Sequence, residues 1–149
     1  MKKIVDMLTP ERIAILDAPD KKTALKILAD ILASADSVKD AQELENAIFE
    51  RERILSTSIG LGVAIPHVRL LSVTEMTIAV GLCKKGIEYD SFDGVPVAII
   101  FMIASPVGTH REYLGVLAKI ALLLKNESLR NMILESETPE DIYSVLKGQ

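Results

Sequence analysis

Apolar side chains at Ala24, Leu28, Ile31, Leu32 and Ala35 recur with a helical period, which predicts a helix over about 21–35 with Asp20 as its N-cap. A second helix is expected after Ser37, with Leu44, Ala47 and Ile48 facing inward and an end near Arg51. From Ile54 to Pro66 that period disappears. Ser56, Thr57, Ser58, Gly60 and Gly62 read as loop, and Val63-Ala64-Ile65 as a short strand stopped by Pro66. Met76 to Cys83 and Val97 to Ala104 are β-branched runs that predict strands, the second continuously apolar, as in a central strand covered on both faces. Gly86 and Asp93-Gly94 are expected to supply turns between them.

Thr109 and Glu112 have the spacing of a capping box, which would open a helix with His110 as its first residue. Tyr113 to Leu124 is apolar nearly all round, so this helix is expected to be largely buried. Thr138 and Pro139 open a last helix, with Gly148 suited to the C′ position. Helices interleaved with strands predict one α/β layered domain over 1–149, with a mixed, mainly parallel sheet flanked by helices.

Composition narrows the function. The 149 residues are 49% hydrophobic and 26% charged, enough for a globular core that needs neither disulfides nor a structural metal. A net charge of -4 with scattered basic residues argues against nucleic acid as a partner. One cysteine, Cys83, lies in an apolar run and excludes a disulfide framework and a thiolate zinc cluster. The longest apolar stretch, Val95 to Ala104, contains Pro96 and is about half the ~20 residues of a spanning helix. Asp6, Glu11 and Arg12 interrupt any apolar leader, so a cytoplasmic protein is expected.

Candidate chemistry centres on the two histidines. His67 follows a strand and Pro66, and His110 opens a helix, where unpaired amides favour an anion. A neutral imidazole is a competent nucleophile toward phosphorus. One histidine taking a phosphoryl group, and the other hydrogen-bonding to it, is chemically coherent. The blander reading, a surface or capping histidine at each position, also fits the residues alone. No Cys, His or Asp cluster completes a metal site around them. Gly60-Leu61-Gly62 fails as a dinucleotide fingerprint because a strand and Pro66 follow it, and the chain has no Walker loop or Gly-x-Ser-x-Gly elbow. Tyr89, Asp90, Phe92 and Asp93 read as a turn.

The segment from Glu52 to His67 closely resembles the active-site signature of the enzyme IIA domains of the bacterial phosphoenolpyruvate-dependent phosphotransferase system, in their fructose, mannitol and nitrogen-regulatory branch. Glu52, Ile59-Gly60 and Val63-Ala64-Ile65-Pro66-His67 carry the resemblance, and His110 stands where that family has a second histidine opening a late helix. The resemblance implies a phosphoryl carrier without metal or other cofactor. His67 would accept the group from a phosphohistidine of the carrier HPr or a paralogue, and pass it to a IIB partner or hold it as a regulatory signal. A membrane would be involved only indirectly, through a IIC transporter. Arg51, sixteen residues before His67, would offset phosphoryl charge; Thr57 would donate a hydrogen bond to it; His110 would orient or stabilise the phosphorylated ring.

Leu61, Val63, Val68 and Leu70 are candidate carrier contacts or, equally, core. Two positions depart from the family pattern. Val68 replaces the usual small residue after the active histidine and is expected to narrow access, and Leu61 makes the loop unusually apolar. They motivate an alternative, a binding module that keeps the fold without phosphotransfer. A metal-dependent hydrolase stands third.

Overall fold

The computed structural model describes residues 3–149. Two short 3-10 turns, Ile4–Met7 and Pro10–Arg12, lead into β1 (Ile13–Ile15). Helices α1 (Lys21–Ala33) and α2 (Ala41–Ile54) follow, each started by an aspartate: Asp20 accepts from Thr23 N, and Asp40 from Glu43 N. α2 therefore begins later than expected, since Ser37 is turned inward to hydrogen-bond Thr77. It also runs beyond Arg51 to Ile54. Next come β2 (Ser58–Gly60), β3 (Val63–Ala64) and β4 (His67–Leu70), then the long strands β5 (Thr77–Ile87) and β6 (Val97–Pro106). α3 (His110–Leu124), α4 (Glu127–Leu134) and α5 (Pro139–Lys147) complete the order.

One mixed sheet runs β1-β5-β6-β3-β2, with β4 also paired to β6. β1 with β5, β3 with β6 and β4 with β6 are parallel; β2 with β3 is antiparallel, as is the long β5–β6 ladder. Alternation along β6 feeds two cores. Ile99, Phe101 and Ile103 pack with Tyr113, Val116 and Ile120 of α3 and with α4 and α5, while Ile100, Met102 and Ala104 pack with Leu25, Leu28, Leu44 and Ile48 of α1 and α2. The result is a sheet covered on both faces, which is why β6 carries no polar residue before Ser105.

Several local expectations are corrected. Thr109 makes no capping hydrogen bond; its hydroxyl donates to Pro106 O at 2.9 Å, closing the turn before α3 instead. A capping box does form at α5, between Thr138 and Asp141. α3 is amphipathic, with Leu114 and Leu122 exposed, because only one side of it meets the sheet. Gly86 lies inside β5 at a register shift with φ of 73°, and a side chain there would meet Pro96. Gly148 is the C-cap of α5 in right-handed conformation, so no left-handed residue is needed.

Candidate active site

The sequence Pro66-His67-Val68-Arg69-Leu70 alternates polar and apolar residues, and the chain resumes as a strand immediately after the proline. Pro66 leaves its carbonyl free to accept Ile103 N at 2.9 Å, and β4 then pairs in parallel with the end of β6, His67 opposite Ile103 and Arg69 opposite Ser105. Period two puts His67 and Arg69 on one side and Val68 on the other. Val68 packs into the α1/α2 core and also lines the cleft beside His67; Val63 is fully buried. Of the four candidate carrier contacts, Leu61 is exposed and Leu70 half-buried.

His67 Nδ1 lies 2.6 Å from Ile65 O. A carbonyl only accepts, so Nδ1 carries the proton and Nε2 keeps its lone pair. Burial holds the ring's pKa below the usual histidine value, and the charges of Arg51 and Arg69 act in the same direction against Ile65 O and Glu52. The ring is therefore neutral at pH 7, the form a nucleophile requires.

His67 stands between two clefts. One, of about 470 Å³, is shared with Arg51, Arg69, His110, Tyr113 and Leu117. The other, of about 380 Å³, is lined by Arg51, Thr57, Ile59, Ile65 and Leu117 beside His67. The structure thus brings His67, His110 and Arg51 to one cleft and His67, Arg51 and Thr57 to the other, although His110 is distant in sequence. Arg51 in the last turn of α2 anchors the loop by donating to Leu55 O at 2.7 Å. His110, the first residue of α3, accepts at Nδ1 from Arg69 Nη1 at 2.8 Å. The Arg69 guanidinium lies 5.2 Å from the Tyr113 ring, whose centroid is 5.7 Å from that of His67.

Behind the clefts, a buried polar unit fixes the loop. Glu52 accepts Thr57 N at 2.9 Å and Thr57 Oγ1 at 2.6 Å, and faces Lys21 Nζ at 3.0 Å. Tyr89 Oη sits 3.1 Å from Thr57 Oγ1, and Lys21 Nζ lies 4.3 Å from the Tyr89 ring centroid. Burial, followed by the charge of Glu52, pushes the Tyr89 phenol pKa far up, so it remains protonated. Arg69, Lys21 and Tyr89 are site components that sequence reasoning missed. Tyr89 is not merely part of a turn: Phe92 and Asp93 form that turn, Asp93 Oδ2 accepting Leu61 N at 2.9 Å.

The profile of the family described as "Phosphoenolpyruvate-dependent sugar phosphotransferase system, EIIA 2" matches residues 6–149. The chain belongs to this family. It is 34% identical over 145 residues to the PTS system fructose-specific EIIABC component of Bacillus subtilis, covering 97% of this chain but only 23% of that longer protein. It is 34% identical over 148 residues to a nitrogen regulatory protein of Bradyrhizobium diazoefficiens, covering 96% of this chain and 94% of the relative. Its fold matches the crystal structure of nitrogen regulatory protein IIA-Ntr from Neisseria meningitidis with a TM-score of 0.88 at 28% identity, over 96% and 98% of the two chains. The expected enzyme IIA family and fold are therefore correct, and membership supports a phosphocarrier or regulatory role for this IIA protein. Among the described residues no helix is long and apolar enough to cross a membrane.

Proposed function

We propose that this chain is a phosphoryl carrier in which His67 Nε2 takes the group from a phosphohistidine of an HPr-like protein. The observation that carries this reading is the hydrogen bond from His67 Nδ1 to Ile65 O, which leaves Nε2 as the one free lone pair of a neutral ring. As the new N–P bond forms at Nε2, the donor's N–P bond breaks and its imidazole departs with the electron pair. A phosphohistidine is already an activated donor, so the reaction asks for positioning and charge stabilisation alone. Arg51 and His110 are the groups beside His67 suited to the phosphoryl oxygens. Thr57 acts at one remove: its hydroxyl proton goes to Glu52, and its part is to hold the loop that lines the second cleft.

The acceptor of the group sets the biological role. A IIB domain acting with a IIC transporter makes the protein a cytoplasmic component of sugar uptake; a regulatory target makes its phosphorylation state a signal.

The test is intact-mass spectrometry after incubation with phosphoenolpyruvate, enzyme I and HPr, kept at neutral to alkaline pH because phosphohistidine is acid-labile. The expected result is a gain of one phosphoryl mass in the wild type and in His110→Ala, at a lower rate, and none in His67→Ala. Undiminished labelling of His67→Ala overturns the assignment.

A further inference from the structure

Arg69 occupies the position on β4 that strand alternation brings to the same side as His67. The end of β6 runs alongside β4 and then turns back through Thr109, whose hydroxyl closes on Pro106 O, so that α3 begins beside Arg69. The contact that results is specific. Arg69 Nη1 is 2.8 Å from His110 Nδ1. A guanidinium stays protonated in proteins and has no acceptor, so Nδ1 must hold a lone pair there. His110 in this arrangement is neutral and carries its proton on Nε2. Arg69 is itself steadied by the Tyr113 ring beneath its guanidinium.

The two histidines of the cleft are thereby set in opposite tautomers. Ile65 O holds the His67 proton on Nδ1 and exposes an Nε2 lone pair; Arg69 occupies the His110 Nδ1 lone pair and leaves Nε2–H as that ring's donor. One ring supplies a nucleophile and the other a hydrogen-bond donor for phosphoryl oxygen. We infer that Arg69 is a positioning residue that keeps His110 as an Nε2–H donor to the phosphoryl group in transit. This rests on the phosphoryl-carrier reading above. Arg69 and His110 are solvent-exposed, and the guanidinium lies outside both apolar cores, touching them only at the outer face of the buried Tyr113 ring, so its removal takes no side chain out of either core.

The experiment is a double-mutant cycle on the full chain, following the rate of phosphoryl transfer from phospho-HPr in wild type, Arg69→Met, His110→Ala and the double variant. Arg69→Met is expected to lower kcat by on the order of tenfold, with KM changed little, the scale of a donor losing its orientation. If Arg69 acts through His110, the double variant is no slower than His110→Ala. Arg69→Lys and Arg69→Gln retain a donor and are expected to recover most of the loss. Losses that multiply in the double variant overturn the proposal, because Arg69 would then act on the phosphoryl group directly.

Long-range ¹H–¹⁵N spectra of the unphosphorylated protein supply a second readout. His110 Nδ1 is expected as the unprotonated, hydrogen-bonded nitrogen, with that signature changed in Arg69→Met; a proton on Nδ1 in the wild type overturns the tautomer assignment. A wild type that takes no phosphoryl group defeats the carrier reading and the positioning role with it, while the spectra still decide which nitrogen of His110 is protonated.

Discussion

Replacing Glu52 with Gln keeps the shape of the side chain and removes one charge and one acceptor oxygen. In the folded protein the carboxylate takes both hydrogen bonds from Thr57 and faces Lys21. An amide has one oxygen to offer. If it keeps Thr57 N, its NH2 faces Thr57 Oγ1, and the hydroxyl proton must turn toward Tyr89. A hydrogen bond to a charged group contributes about 1.5–3 kcal/mol and a neutral one about 1, so exchanging the first for an amide N–H donated to Thr57 Oγ1 loses about 1–2 kcal/mol. Lys21 loses its nearer counterion, with 21% of its side chain exposed and Asp90 Oδ2 left 4.0 Å away. Breaking a fully buried pair costs about 3–5 kcal/mol; partial exposure, together with Tyr89 O at 3.4 Å and the aromatic ring, brings the cost for Lys21 well below that.

The sum is about 3 kcal/mol of lost stability. At this chain length each kcal/mol moves Tm by about 2–4 °C, so a fall of roughly 6–12 °C is expected. Urea unfolding at neutral pH measures it directly, with an unchanged m value showing that the comparison is sound. A cycle with Lys21→Met should show coupling of about 1–2 kcal/mol, since each variant removes the same ion pair. The reasoning fails if Glu52→Gln stays within about 0.5 kcal/mol of wild type, or if the two losses simply add.

Two further expectations come from groups whose titration the fold alters. The folded His67 pKa lies below its usual value of 6.5, mainly through burial, so the unfolded chain takes up this proton first. Its contribution to stability is complete above pH 6.5 and is lost as pH falls through the lowered folded value. The stability of wild type relative to His67→Asn, measured by urea unfolding, should therefore shrink with acidification; a difference that grows contradicts the sign. Burial in β5 raises the Cys83 thiol to about 11. At pH 8 it should resist iodoacetamide in the native protein and react on unfolding, whereas native labelling at the rate of an exposed thiol contradicts its placement.

The long elements were legible because each repeats its signal many times. α1 shows its apolar stripe and Asp20 cap, and β6 its unbroken apolar run. Short elements offer few repeats. β2 is three residues of mostly loop-forming type, and α4, capped by Asn126 with Leu129 and Ile133 inward, is eight residues long and was not expected. β4 did carry a readable sign, the polar–apolar alternation from His67 to Leu70, hidden behind a proline that looked like a stop. Recognising that strand would have put Arg69 beside His67.

His67 and His110 stood out as the chain's only histidines, each at the start of an element. Tyr89 and Lys21 did not, because their roles arise from tertiary approach. Tyr89 meets Thr57 across 32 residues of sequence, and Lys21 looks from its spacing like any exposed residue in the first turn of a helix. Thr109 illustrates the opposite failure. Its sequence pattern was that of a cap, and the nearby Pro106 carbonyl took its hydroxyl instead.

The pairing of β6 has a consequence for how the molecule breathes. That strand is hydrogen-bonded to β5 on one edge and to β3 and β4 on the other, and the backbone at His67 is stitched to it through Pro66 O and Ile103 N. Parting β4 from β6 would uncover side chains of both apolar layers at once. Opening there costs more than the fraying of a loop tip, whereas binding segments in many proteins open locally at little cost. The backbone at His67 is thus pinned to the central strand, and a protein that docked there would meet a preformed surface rather than one that must be ordered on contact.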